Sequence, residues 1–248
     1  MFDFFKRKPS GLEVPTVLPF ETDIHSHVLA GIDDGSPDIE TSLQLLRGIY
    51  DLGIRKTVAT PHIIADMYRN TPEIINAALL DLREASKAAG INIEINAAAE
   101  YMLDDYFLKL LMDDKPLLTI HNNIILTEQS YAAASGNLNE IAFEIMKHGY
   151  RPIMAHPERY GFYHDDYSVY AHLKDMGFLL QVNILSLTGH YGKDVAKAAR
   201  YIFDHDLADL VGTDMHHSRH LATMQNKDNL VLFKKYLSKK TFNVLDDF

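Results

Sequence analysis

Apolar runs alternate with segments of helical spacing from end to end of this chain, and nearly every run stops at a histidine or an acid. Phe20 to Ile24 leads into His25-Ser26-His27, Ile54 to Thr60 into Pro61-His62, and Ile91 to Ala99 into Glu100. Asn123 to Thr127 leads into Glu128, Ile153 to Ala155 into His156, and Asp209 to Gly212 into Thr213-Asp214-Met215-His216. Phe178 to Val182 makes a seventh run. Strand–helix alternation of this kind implies a parallel sheet, whose strand ends then share one face. Ligating groups on so many ends fit a closed barrel better than an open sheet, which gathers its site at one switch point. The expected fold is α/β, a distorted seven-stranded TIM-like (β/α)7 barrel over residues 20–248, after a tail and Pro-rich lead-in over 1–19.

The segments between the runs carry start and stop signals. Ser36 reads as an N-cap, with Pro37 in the first helical position, Asp38 and Glu40 in the first turn, and Gly53 as the stop. Thr71-Pro72-Glu73 repeats the pattern up to Gly90. Further helices are expected at Leu103 to Met112, Leu138 to His148, Ser168 to Met176, Val195 to His205 and Leu221 to Leu237.

A formal net charge of −10 argues against a nucleic-acid partner. It leaves a phosphorylated substrate open, because bound cations reverse the local sign. The absence of cysteine excludes disulfides and a thiolate nucleophile, and fits a reducing, cytoplasmic location. No apolar run approaches the roughly 20 residues that span a bilayer. Met1-Phe2-Asp3-Phe4-Phe5-Lys6-Arg7-Lys8 lacks the apolar core and cleavage site of a secretory signal. It reads as a tail, free or packed on the barrel or on a neighbouring subunit.

The strand ends carry the chemistry. In extended chain His25 and His27 project to one side and can share a metal, while Asp23 reads as a partner that orients a ring. Alone, His62 or His156 would be an ordinary core or loop histidine; their matching places beside Pro61 and Pro157 argue for ligands. Glu100 and Glu128 end apolar runs, where a carboxylate needs a cation or hydrogen bonds. Asp214 and His216 complete a set of eight candidate ligands. That number suits two or three clustered divalent cations with a bridging carboxylate, and imidazole with carboxylate fits Mn, Fe or Zn. Such a cluster makes hydroxide available at neutral pH. Arg159 is the candidate phosphate clamp and Arg219 a second phosphate contact. Asp33-Asp34-Gly35 reads first as a turn before Ser36, with a role at the mouth as the alternative because it follows the His25/His27 strand. His217 and His220 read as surface residues, and His121, His148, His164, His172, His190 and His205 as lying away from it.

These residues resemble the PHP (polymerase and histidinol phosphatase) superfamily, and within it the bacterial PHP-type protein-tyrosine phosphatases of capsule and exopolysaccharide synthesis. The resemblance rests on Asp23-Ile24-His25-Ser26-His27 with Gly31-Ile32-Asp33-Asp34-Gly35, and on Thr60-Pro61-His62 and Ala99-Glu100-Tyr101. His156-Pro157-Glu158-Arg159-Tyr160, Gln181-Val182-Asn183 and Thr213-Asp214-Met215-His216 extend it to residue 216. It implies a distorted seven-stranded β/α barrel whose trinuclear metal site is held by the eight residues above, Mn being the favoured metal. Arg159 would engage phosphate, with His156 and Asp214 beside it in catalysis. The implied substrate is phosphotyrosine on the tail of a membrane-linked tyrosine kinase that regulates polysaccharide export. Arg219, three residues after His216, departs from the family, whose arginine sits several residues further on. Competing readings are a small-molecule phosphatase, such as one for histidinol phosphate, and a non-catalytic phosphotyrosine-binding barrel. A homo-oligomer is compatible with all three.

Overall fold

Every apolar run forms strand, and every strand pair is parallel. The computed structural model describes residues 16–247, so most of the expected tail lies outside the described residues. The first half runs β1 (Thr22–Ser26), α1 (Ile39–Asp51), β2 (Lys56–Ala59), β3 (His62–Ile63), α2 (Pro72–Ala88), β4 (Glu94–Ala97) and β5 (Glu100–Met102). Next come α3 (Asp105–Met112), β6 (Ile124–Glu128), α4 (Leu138–Lys147), β7 (Arg151–Ala155) and α5 (Val169–Asp175). The chain ends with β8 (Leu179–Asn183), α6 (Lys193–Asp204), β9 (Leu210–Gly212), α7 (Ser218–Gln225) and α8 (Lys227–Leu237). No helix among the described residues is long and apolar enough to cross a membrane.

The single ring of seven strands expected from the runs is recorded instead as two ladders, β1-β2-β4 and β3-β5-β6-β7-β8-β9. Two runs are each cut in two. Pro61, which has no N–H to give, separates β2 from β3, and Ala98-Ala99 separates β4 from β5. Backbone bonds from Ala98 N to Ala59 O (2.8 Å) and Glu100 N to Pro61 O (3.1 Å) carry pairing across the cuts. At the other side, Asp214 N donates to His25 O at 2.8 Å and His27 N to Met215 O at 2.9 Å.

Alternation along the strands lays down two tiers. Leu126, Leu179, Leu210, Ala98 and Ile24 meet in one apolar cluster. Two residues further along their strands stand Glu128, Gln181, Gly212 and Glu100, which therefore share that face. β1 breaks the alternation. Asp23 pairs with Thr57 and Ser26 with Ala59, so β1 holds one residue more than β2 over this stretch. Such a bulge re-aims a side chain, and here it brings His25 to the tier of Glu100, on the face that Ile24 already occupies. Gly212 is the close approach that makes room, since a Cβ there would lie 2.7 Å from the His25 Cβ and 2.8 Å from Gln181 Nε2. Gly212→Ala is expected to destabilise the chelated protein by about 1–3 kcal/mol, read by urea unfolding. An unchanged midpoint would mean that β9 shifts at no cost.

Two helix boundaries depart from expectation. Asp38, not Ser36, caps α1, its carboxylate accepting from Thr41 N at 2.8 Å. Ser36 is used earlier, its N–H donating to His27 O and its carbonyl accepting from Gly31 N, which folds the 27–36 loop back over His27. The last helix is two helices. Asn226 breaks it at ψ 129° and caps α8 through Asp228 N and Asn229 N.

Candidate metal centre

Three imidazoles are fixed through Nδ1 so that Nε2 faces a common interior. His25 Nδ1 lies 2.7 Å from Gln181 Oε1, His27 Nδ1 2.7 Å from Asp33 Oδ2, and His216 Nδ1 2.9 Å from the Asp214 carbonyl. A proton held at Nδ1 leaves the Nε2 lone pair free, the arrangement in which histidine binds metal. Ser26 turns away to Thr57 and Val58. Asp23 does not orient a ring; it accepts from Thr213 N (3.0 Å) and Thr213 Oγ1 (2.6 Å), tying β1 to the end of β9.

Glu100 stands at the centre. Its Oε2 lies 3.2 Å from His25 Nε2, 3.4 Å from His27 Nε2 and 3.2 Å from His62 Nδ1, while Oε1 lies 3.0 Å from His156 Nε2. Glu128 Oε1 approaches His62 Nδ1 at 2.8 Å. Asp214 divides its oxygens, Oδ1 facing His25 (3.4 Å), His27 (3.5 Å) and His216 (3.3 Å), and Oδ2 accepting from Arg159 (2.7 Å) and Asn183 (2.6 Å). His156 (φ 35°) and Asp214 (φ 49°) both adopt left-handed backbone immediately beyond β7 and near the end of β9. Non-glycine residues hold that conformation where the surroundings fix it, and such residues concentrate at functional sites.

The eight expected ligands are thus gathered into one cluster. Of the two arginines, Arg159 lies at the cluster, with its guanidinium 4.3 Å from the Tyr191 ring centroid and 5.1 Å from that of Tyr131. Its partner is Asp214, not Glu158 or Asp165. Arg219 is exposed on the first turn of α7 and does not line the cavity. His220 contradicts its surface assignment, being buried with Nδ1 3.1 Å from Asp214 O, because α7 folds directly back over the end of β9. His217 caps that helix at the cavity edge. Asp34 is more than a turn residue, since it faces His62 (3.5 Å) and His216 (3.6 Å). Tyr131, Tyr191, Gln181 and Asn183 carried no signal as site residues except where the family motif included Gln181 and Asn183.

The donor set fits divalent cations. His25 Nε2 and His27 Nε2 lie 3.2 Å apart, and their distances to Glu100 and Asp214 run from 3.2 to 3.5 Å. Donors about 2.1 Å from a shared cation stand about 3.0–3.5 Å apart. Among the described residues four overlapping groups of ligating atoms occur, His27/Asp34/His62/His216, His25/His27/Glu100, His25/His156/Asp214 and His62/Glu100/Glu128. Buried His62 Nδ1, Glu100 Oε1 and Glu128 Oε1 have no aligned hydrogen-bond partner. Orphaned buried donors and acceptors call for an occupant. A cavity of about 300 Å³ opens over them, edged by Tyr131, Arg159 and Tyr191. A larger one, about 630 Å³, lies at the opposite strand ends between residues 18–22 and 241–246, away from the cluster.

Sequence comparison decides the family. The capsular polysaccharide synthesis family CpsB/CapC matches residues 21–245. The chain belongs to the CpsB/CapC family. It is 30% identical to the tyrosine-protein phosphatase CpsB of Streptococcus pneumoniae, over 91% of this chain and 95% of that one. It is 27% identical to the tyrosine-protein phosphatase YwqE of Bacillus subtilis, over 78% of this chain and 76% of that one. A crystal structure from work on YwqE and CpsB, described as unique metal-dependent tyrosine phosphatases, superposes with a TM-score of 0.78 at 26% identity over 86% of each chain. The Listeria monocytogenes lactonase Lmo2620 shares the fold alone, with a TM-score of 0.52 at 14% identity over 91% of this chain and 94% of that one.

In this CpsB/CapC chain, protons and cations compete for one cluster. Burial works against a charge on His25, yet Glu100 and Asp214 raise its pKa to about 10. Burial likewise opposes charge on His27, His62 and His216, and their carboxylate neighbours still raise all three. His156 differs, lowered to about 4 by burial, with Arg159 opposing the pull of Glu100. Glu100 and Asp214 are held well below the usual carboxylate range, the imidazoles overcoming burial. The carboxylates therefore favour protons on these rings, and a cation bound there must displace them. Apparent metal affinity is expected to rise with pH, by up to about tenfold per unit for each proton released. Titration calorimetry in buffers of different ionisation enthalpy checks this; heats independent of buffer would show that the rings are already neutral.

Proposed function

We infer that this chain is a metal-dependent phosphoric monoester hydrolase that removes phosphate from protein phosphotyrosine in capsule or exopolysaccharide synthesis. The observation that carries the reading is the Glu100-centred cluster of imidazoles and carboxylates with Arg159 at its edge. Family membership and the names of its relatives point the same way. We take His25, His27, His62, Glu100, Glu128, His156, Asp214 and His216 as holding two or three divalent cations, Mn²⁺ first and Fe or Zn as alternatives. Bound there, the cations would neutralise phosphoryl charge and lower the pKa of water. We also read the two ladders as one distorted seven-run barrel, supported by the bonds that join His25 and His27 to the end of β9.

The chain's own residues bind and orient the phosphoryl group. Arg159 presents a planar fork of donors, which suits phosphoryl oxygens and the charge they carry through transfer. Asp214 Oδ2 holds that fork at the cavity, and the Tyr191 ring packs on it at 4.3 Å. Arg219 has no part in this scheme. A phenol, with a pKa of about 10, leaves more readily than an alkyl alcohol and needs less help from an acid. We assign no general acid. The substrate proposed is the phosphotyrosine tail of a membrane-linked tyrosine kinase. Since a kinase needs ATP, the reaction belongs in the cytoplasm.

The test is phosphate release from a tyrosine-phosphorylated peptide and from histidinol phosphate, with Mn²⁺ and with chelator. Metal-dependent release from the peptide is the expected result. Release mainly from histidinol phosphate would move the protein to small-molecule chemistry, and peptide binding without release from either would leave a binding barrel.

A further inference from the structure

We propose that Tyr131 is a specificity-determining residue, its ring forming the wall against which the aryl group of a phenolic phosphate packs. The inference rests on the phosphatase reading above and adds what selects the leaving group. Tyr131 lies three residues beyond Glu128 and lines the cavity, yet it is 47% exposed. An aromatic residue this exposed at the edge of a charged cavity leaves surface that no other described residue covers.

The ring is already positioned. It lies nearly parallel to His156, with centroids 5.8 Å apart and planes at 21°, and packs on Tyr160 at 5.4 Å. The segment that carries it is tied at both ends. Gln129 N donates to the Tyr160 hydroxyl (2.9 Å), Gln129 Nε2 to the Tyr163 hydroxyl (2.7 Å), and Ser135 N to Gln129 Oε1 (3.1 Å). A fixed ring takes a partner without first losing conformational freedom.

Its place relative to the phosphate clamp gives the selectivity. Arg159 stands over the Tyr131 ring at 5.1 Å, so a phosphoryl group held by that guanidinium has its ester substituent within reach of Tyr131. Tyr191 also packs on Arg159, at 4.3 Å, but its hydroxyl is buried and the residue is less exposed than Tyr131. Aromatic rings attract at centroid separations of about 4.5–7 Å beyond simple area burial, a gain that an alkyl group does not share.

The experiment uses metal-loaded protein and non-hydrolysable probes, comparing dissociation constants, by titration calorimetry, of phenylphosphonate, butylphosphonate and inorganic phosphate. Tyr131→Ala is expected to weaken phenylphosphonate by roughly tenfold, leaving the other two within about twofold. Tyr131→Phe should keep the discrimination, since the ring and not the hydroxyl provides it. An equal loss for all three probes would show that Tyr131 merely supports Arg159, and no loss for any would remove it from recognition; either overturns the proposal. So would unmodified protein that binds the two organic phosphonates alike. Phosphate release from a phosphotyrosine peptide is followed in parallel. Its absence would sink the phosphatase reading while leaving the ring discrimination measurable by itself.

Discussion

Glu100→Gln is expected to lower kcat/KM for a phosphotyrosine peptide by about 10²–10⁴-fold and to strip metal from the protein. The side chain touches four imidazoles, three through one oxygen and one through the other. Gln keeps the volume but removes the charge and turns an NH2 group toward rings that must offer lone pairs. Removing one partner from a buried charged network costs about 3–5 kcal/mol, which in a rate is about 10²–10⁴. Metal content by elemental analysis separates this from misfolding, with circular dichroism as the control. Native metal content with native turnover would take Glu100 out of the centre.

Arg159→Ala is expected to lower kcat/KM by about 10²–10³, the range seen when one donor to a developing oxyanion is removed. Unlike the Glu100 variant, it should leave some metal bound, because the guanidinium is a neighbour of Asp214 and not a ligand. Arg159→Lys should recover only part of the loss. An ammonium restores charge to Asp214 Oδ2 but not the planar fork, nor the stacking between Tyr131 and Tyr191. If the lysine variant regained full activity, charge alone would explain the residue.

The candidate ligands at strand ends were legible because their positions follow from periodicity. An acid or histidine that directly follows an apolar run emerges at the sheet end, as His25, Glu100 and Glu128 do, and Asp214 stands one residue further on. The bulge in β1 was not legible, although it decides that His25 joins the tier of Glu100, since no residue type marks it. Pro61 could have warned that the second strand divides; nothing in Ala98-Ala99 could. What the sequence misplaced, left open or missed lies in segments without a period. His220 depends on how α7 returns over β9, Asp34 on the loop folded over His27, and Tyr131 on a segment whose path is set by Tyr160 and Tyr163. Ser36 fitted a cap, but its backbone was already engaged by Gly31 and His27, so the cap passed to Asp38.

On the function proposed above, the divided carboxylate of Asp214 would make the cation and phosphate sites thermodynamically reciprocal. One oxygen faces the imidazoles and the other holds Arg159, so the electron density of a single group serves both. A cation held there would draw on Asp214, weaken its hold on the guanidinium and free donors for an incoming anion. By linkage the same factor must work in reverse, and a bound phosphate must tighten the cations. A cell poor in metal would then lose this enzyme last where its substrate is most abundant.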